Sequence, residues 1–249
     1  MRDGFRVFDA LTHLPVPRNN AHRPAVDEIL RDMDRAGVDR VVLVPLSPGD
    51  DCRSGHDVVG DIVLAYPDRF VGVACFSPAL SLEEFAAEVR RCRETYGFRA
   101  LKYVAQSQVL NPLSTRIEFL FDAAGENDLA VILQTGAGPP FSLPSLYMPA
   151  ARQYPQLDIV LSQCGGGLLS GEAIVSALFC PNIYLELSTL PPQHIAEVLV
   201  NVPSARLMIG SDRLAAQDAE MSKILNLPVT DEDKQNILHA TADRVFGAG

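Results

Sequence analysis

Six places along the chain put a group capable of acid–base or hydrogen-bond chemistry where an apolar run gives way. They are His13 after VFDA, Lys102 and Tyr103 in RALKYV, Gln134 after LAVIL, Gln163 after LDIVLS, Glu186 and Ser188 in NIYLELS, and Ser211-Asp212-Arg213 after LMIG. An apolar run that ends in an imidazole, amide or carboxylate is unusual unless something binds there, because buried polar groups need partners. A carboxylate beside an imidazole orients the ring and favours the imidazolium, raising its pKa, which is the outline of a general acid–base pair. His13 and Asp212 are the candidates for that pair. Gln134 and Gln163 offer amide donors and acceptors suited to a carbonyl or carboxylate. Lys102, Tyr103, Glu186 and Arg213 complete the substrate-binding candidates, Lys102 either for a substrate carboxylate or for an ion pair with Glu186 or Asp212.

These groups can act together only if the elements bring them together. The apolar runs predict eight strands, near 5–9, 41–45, 70–75, 99–104, 129–134, 158–162, 182–187 and 206–210, with Thr12 and His13 just past the end of the first. Helical patterns fall between them. One runs from about Pro24 to Ala36 with Val26, Ile29, Leu30 and Met33 on one face and Gly37 as its stop. Others span roughly 55–65, 113–127, 145–154, 168–179, 191–201, 218–226 and 230–246. Ser81 and Glu84 form a capping box that opens a further helix, which Gly97 ends. Strands alternating with helices imply right-handed crossovers and a parallel sheet. Eight such units in 249 residues predict a single-domain α/β chain, a (β/α)8 TIM barrel, rather than an open sheet. The first strand also lacks the glycine-rich turn of a dinucleotide fold. In a closed barrel strands one and eight are neighbours, so His13 and Asp212 should stand side by side at the C-terminal mouth.

The chain resembles the amidohydrolase superfamily, specifically its amidohydrolase-2 branch, the relatives of aminocarboxymuconate-semialdehyde decarboxylase. The matching stretches are VFDALTHL (7–14), YPDRFVGVACFSP (66–78), YGFRALKYV (96–104), LAVILQTG (129–136), LDIVLSQCGGG (157–167), NIYLELS (182–188), LMIGSD (207–212) and KQNILHATADRVFG (234–247). The resemblance implies His-x-His after strand one, histidines ending strands five and six, and Asp after strand eight, together holding one divalent metal. Here the first motif reads Leu11-Thr12-His13, and strands five and six end in Gln134 and Gln163. Only His13 and Asp212 remain, and a catalytic zinc needs about three good protein ligands. Cys164 should point away from Gln163 by strand alternation, and His22, His56, His194 and His239 sit at no ligand spacing. Some branches carboxylate a strand-four lysine to bridge two metals, but this branch resembles the single-metal type. Asp9 falls at a position that the resemblance implies is structural. The expectation is therefore no metal and no other cofactor.

Bulk properties exclude several classes. The chain is 47% apolar and 21% charged, with a net charge of −10, as ordinary soluble domains are. No basic cluster is present to meet nucleic acid or an anionic membrane, and no apolar run approaches the roughly 18–20 residues of a membrane span. Five unpaired-looking cysteines and no apolar leader at Met1 predict a reduced, cytoplasmic chain. Two function classes follow. One is a metal-independent lyase, hydrolase or cyclase acting on a small carboxylated or cyclic metabolite. The other is a non-catalytic small-molecule binder or a partner subunit. A residual metal-dependent hydrolase or decarboxylase is the weaker alternative, and homo-oligomerisation is left open. The loops 14–23, 47–56, 105–112 and 137–148 should set specificity.

Overall fold

The computed structural model describes every residue except 17–24, 47–51, 76, 78–79, 109–110, 137–139 and 248–249. The strands are β1 (Phe8–Pro15), β2 (Arg40–Leu46), β3 (Phe70–Cys75), β4 (Ala100–Tyr103), β5 (Ala130–Gln134), β6 (Ile159–Ser162), β7 (Ile183–Glu186), β8 (Leu207–Met208) and β9 (Asp212–Arg213). The helices are α1 (Val26–Ala36), α2 (Cys52–Ala65), α3 (Leu82–Tyr96), α4 (Ala105–Gln108), α5 (Glu118–Glu126), α6 (Met148–Gln153), α7 (Ser170–Phe179), α8 (Pro192–Asn201), α9 (Gln217–Leu225), α10 (Asp231–Gln235) and α11 (Thr241–Phe246). All strand pairings are parallel and run in the order β8-β7-β6-β5-β4-β3-β2-β1-β9.

β8 and β9 are two pieces of one run, and that run closes the sheet into the expected barrel. Ala10 N–H donates to the Ile209 carbonyl at 2.9 Å and Ser211 N–H to the Leu11 carbonyl at 3.0 Å. The ladder breaks between the pieces because Ile209 N–H turns to the carbonyl of Ile237, in a π-helical stretch covering Asn236–Ala240. Gly210 sits in this gap, where a Cβ would lie 2.7 Å from Glu186 Oε1 and 2.9 Å from the Leu11 backbone nitrogen. Only a residue without a side chain lets the two strand ends approach so closely.

Strand alternation divides the core into two layers. Phe8, Ala10, Val42, Val44, Val71, Val73, Ile132, Val160 and Met208 fill the barrel, together with Ala242 and Phe246 from α11. Their neighbours, such as Val41, Leu43, Leu101, Tyr103, Leu133 and Leu161, pack outward beneath the helices. The local signals act as the sequence predicts. Ser81 and Glu84 cap α3 reciprocally at 3.2 and 3.0 Å, and Gly37 and Gly97 end α1 and α3 in the left-handed region. The expected start of the first helix at Pro24 lies outside the described residues; Val26 opens α1.

The first strand is a correction. It runs to Pro15 instead of stopping at Asp9, so Thr12 and His13 lie within it. An irregularity between Asp9 and Thr12 shifts the register, and pairing with β2 then resumes through His13↔Val44. The barrel mouth holds the chain extended there by pairing both edges, with β2 on one side and β9 on the other.

Candidate active site

The parallel pairing of β1 with β9 sets Thr12 opposite Asp212 and His13 opposite Arg213. Beneath them Asp9, fully buried, fastens the two strands. Its carboxylate accepts from the Ser211 and Leu11 backbone N–H groups at 2.9 and 3.2 Å. It also accepts from Ser211 Oγ at 2.6 Å, Thr12 Oγ1 at 2.7 Å and Gln217 Nε2 at 3.0 Å. Burial nevertheless raises the Asp9 pKa, since the donors only partly offset lost hydration. These contacts fit the structural role expected of Asp9.

His13 and Asp212 meet as expected. His13 Nδ1 lies 3.2 Å from Asp212 Oδ1 and 3.0 Å from the Asp212 backbone carbonyl. On the other edge of the ring Lys102 Nζ lies 2.9 Å from Nε2. These partners fix the tautomer: Asp212 presents only acceptors to Nδ1, so Nδ1 carries the proton, and the ammonium donates to the Nε2 lone pair. Asp212 adopts a left-handed backbone at φ 62°, strain that turns both its carboxylate and its carbonyl toward the ring.

The electrostatics correct one expectation. The imidazole pKa is lowered, not raised, because burial and the nearby Lys102 ammonium outweigh the hydrogen bonds from Asp212. The ring is therefore neutral at pH 7. Its hydrogen bond holds the Asp212 carboxyl down at about 2, so that group stays ionised. Burial brings the Lys102 ammonium down to about 8 against the opposing pull of Cys75, Glu186 and Asp212.

Gln163 directly follows β6, in the left-handed region at φ 61°, and donates through Nε2 to Asp212 Oδ1 at 3.3 Å. Its backbone N–H reaches Glu186 Oε2 at 3.0 Å. Glu186, buried at the end of β7, also accepts from Ser188 N–H at 2.6 Å and Ser188 Oγ at 2.9 Å. Burial pushes its carboxyl up to about 7 despite those donors and Lys102. Gln134 ends β5 and lines a cavity of about 610 Å3 with His13, Pro15, Leu46, Asp212, Arg213, Leu214 and Ala215. Arg213 stands on its rim, mostly exposed, with Nε 3.3 Å from Asp212 Oδ2.

The structure thus gathers His13, Asp212, Lys102, Gln163 and Glu186 into one network, with Gln134 and Arg213 on the cavity wall. Tyr103 is the exception: it alternates with Lys102 and is buried in the outer layer with Leu101 and Leu133. Cys164 likewise packs outward, as alternation predicts. Of the expected specificity loops, 47–51 and most of 14–23, together with residues 109–110 and 137–139, lie outside the described residues.

Two features escaped sequence reasoning. Cys75 ends β3 as the register partner of Lys102, and burial pushes its thiol up to about 12. His56, expected at no ligand spacing, groups with Glu88 and Cys92, whose candidate donor atoms lie within 4.8 Å of one another. Those atoms already serve each other. His56 Nδ1 pairs with Glu88 Oε1 at 2.7 Å, His56 Nε2 accepts from Cys75 N–H at 2.8 Å, and Arg91 grips Glu88 at 2.6 and 2.9 Å. The cluster holds the end of β3 in place. The spacing of Glu88 and Cys92 on one helical face was the available signal; the pairing with His56 required the fold.

No match was found among curated proteins. Solved structures superpose over nearly the whole chain. The 5-carboxyvanillate decarboxylase of Sphingomonas paucimobilis is 16% identical with a TM-score of 0.77, covering 97% of this chain and 99% of that one. The 2,6-dihydroxybenzoate decarboxylase of Rhizobium is 15% identical with a TM-score of 0.77 and coverages of 97% and 98%. The 4-oxalomesaconate hydratase of Rhodopseudomonas palustris is 17% identical with a TM-score of 0.71 and coverages of 96% and 95%. At such identities the likeness establishes the barrel alone. The sequence itself carries the family's pattern from residue 51 to residue 248, and the chain belongs to the amidohydrolase family, Amidohydro_2.

Proposed function

We propose that the chain is a metal-independent lyase or hydrolase that acts on a small carboxylated or cyclic metabolite by acid–base chemistry at His13 and Asp212. The observation that carries this reading is the ordered line Asp212–His13–Lys102 at the wall of the cavity. A carboxylate that stays ionised orients a neutral imidazole whose Nε2 lone pair shares the Lys102 proton, so the two groups together can take up or give one proton. Lys102, its ammonium brought down to about 8, is an acid matched to the same pH. A buried ammonium brought close to the working range beside a neutral imidazole is suited to proton transfer. Gln134, Gln163 and Arg213 supply amide and guanidinium donors for a carboxylate or carbonyl. The structural neighbours named as decarboxylases and as a hydratase favour the lyase arm.

The donor set does not fit the divalent metal that the family pattern implies. Leu11 offers no ligand atom, the two glutamines offer neutral amides, and the Nε2 lone pair of His13 is engaged by Lys102. One imidazole and one carboxylate fall short of the roughly three strong ligands a catalytic zinc uses.

The test pairs a ligand screen with turnover. A panel of aromatic and aliphatic carboxylates and lactones is ranked by thermal shift, since a pocket ligand stabilises by mass action. Each hit is then assayed for decarboxylation, hydration or hydrolysis. His13→Ala should lower kcat on an active compound by roughly 10²–10⁴, the usual yield of general acid–base catalysis. Full turnover by that variant, or turnover abolished by chelator and restored by metal, would defeat the reading.

A further inference from the structure

We propose that Lys102 is the nucleophile of a covalent step, in which its Nζ condenses with the carbonyl of a 3-oxo carboxylate and the resulting iminium ion loses carbon dioxide. The inference rests on the lyase reading above and names its substrate class.

Positive charge in this chain is almost always arginine. Of its 21 lysines and arginines, three are lysines, Lys102, Lys223 and Lys234. Two of them serve as fixed charges. Lys223 Nζ donates to the Leu190 carbonyl at 2.9 Å and pairs with Glu220 at 2.6 Å, and Lys234 Nζ donates to the Leu225 carbonyl at 2.7 Å. Lys102, 2% exposed, has a different partner. Among the described residues its Nζ forms one hydrogen bond, at 2.9 Å to His13 Nε2, and no ion pair. An arginine there would keep its charge permanently, whereas a lysine can shed a proton and attack a carbonyl carbon as the free amine. The acceptor for that proton is in place. Nδ1 of His13 holds its own proton toward the Asp212 acceptors, which leaves the Nε2 lone pair aimed at Nζ.

The strands set the amine beside the cavity. Lys102 alternates with outward Leu101 and faces the barrel interior, in register with Cys75 of β3 and Ile132 of β5. Gln134 follows Ile132 on the same face of β5, one pleat nearer the mouth, and lines the cavity with His13. Nζ therefore stands just inside the wall that His13 and Gln134 form. A substrate passing between them brings its carbonyl to Nζ while the Gln134 amide donates to its carboxylate. Cys75 is no rival nucleophile, because burial pushes its thiol up to about 12.

In the step itself Lys102 gives a proton to His13 Nε2, and the Nζ lone pair forms a C–N bond as the carbonyl electron pair moves to oxygen. One proton shifts from nitrogen to that oxygen. The imidazolium then protonates the hydroxyl, which leaves as water, and the C=N bond of the iminium forms. The iminium draws in the electron pair of the neighbouring C–C bond, carbon dioxide departs, and an enamine remains. A solvent proton on carbon and hydrolysis of the iminium return the ketone and the lysine ammonium. The sum is one 3-oxo carboxylate and one proton converted to a ketone and carbon dioxide.

The experiment incubates the purified chain with acetoacetate or oxaloacetate and sodium cyanoborohydride, which reduces an iminium to a stable secondary amine. Intact mass and peptide mapping then locate the adduct. One adduct per chain should form with at least one of the two probes and map to Lys102, with Lys223 and Lys234 as internal controls. It should be absent from Lys102→Arg, which keeps the charge but cannot form the iminium, and His13→Ala should slow its formation by roughly 10²–10⁴. No adduct at Lys102 with either probe, or equal labelling of all three lysines, overturns the proposal on wild type alone. Undiminished turnover by Lys102→Arg of a compound whose turnover needs His13 also overturns it and leaves the acid–base reading standing. An adduct at Lys102 that forms equally fast in His13→Ala overturns the part given to His13 here.

Discussion

At the scale of single residues, the imidazole of His13 is held between an anion and a cation, and that balance can be perturbed from one side. Burial and Lys102 lower its pKa while Asp212 raises it. Asp212→Asn removes the raising charge and keeps the size, so the imidazole should lose its proton at a still lower pH than in wild type. A histidine-selective NMR titration should show the His13 midpoint moving down, with the fold intact by circular dichroism. A midpoint that stays put or rises would mean Asp212 does not act on the ring. Most of this site was legible because strand ends in a barrel converge: His13, Lys102, Gln134, Gln163, Glu186 and Asp212 each follow an apolar run. The sign of the His13 shift was not legible. It depends on burial and on a lysine 89 positions away whose approach to Nε2 only the closed sheet creates. Tyr103 was misplaced by a single position, the distance at which a strand turns a side chain from one face to the other.

At the scale of elements, α2 and α3 carry a buried ionic device whose purpose is to fix β3. Glu88 on α3 lies between His56 on α2 and Arg91 one turn onward, and His56 passes the restraint to the Cys75 backbone. Burial alone would raise the Glu88 carboxyl, but His56 and Arg91 outweigh it and hold it at about 2. A carboxyl whose folded pKa lies below its ordinary 4.5 stabilises the fold fully above pH 4.5. That contribution should fall as pH drops from about 4.5 to about 2. Glu88→Gln should abolish that part of the acid slope, and it should lower stability at pH 7 by roughly 3–5 kcal/mol, the usual effect of breaking a buried pair. Urea titrations at pH 7, 4 and 3 check both; an unchanged acid slope would refute the assignment. The elements themselves were readable from period and caps, as α3 shows with Ser81, Glu84 and Gly97. Their irregularities were not. The run of β1 past Asp9 and the split between β8 and β9 follow from hydrogen bonds to Asp9 and Ile237, partners about 200 and 30 residues distant.

At the scale of the whole molecule, a barrel is stable only if its two ends meet, and here the last helix joins them. α11 lies under the floor of the barrel, where Ala242 and Phe246 pack with Phe8 of β1 and Met208 of β8. The preceding π-helical stretch takes the Ile209 N–H that the strand ladder releases, and Arg40 of β2 reaches Asp243 at 3.1 Å. The sequence marks this segment as a helix burying Ile237, Leu238 and Val245. The first two are buried, Val245 is half-buried, and the deeper plug is Phe246, which the helical pattern did not single out. No helix pattern could single it out, because Phe246 fills the space inside a closed sheet and not a groove between helices. Phe246→Ala should therefore empty the floor at the seam where the first and last strands join. The expected loss is roughly 3–5 kcal/mol, the range for deleting a buried phenylalanine whose cavity cannot collapse. In urea the midpoint should fall with little change in slope, because the surface exposed on unfolding is nearly the same. His13 and Asp212 stand on the two strands that this plug helps to join, so binding at the mouth should weaken together with stability. A loss below about 1 kcal/mol, smaller than the core-deletion range, would show that the floor is closed without the last helix.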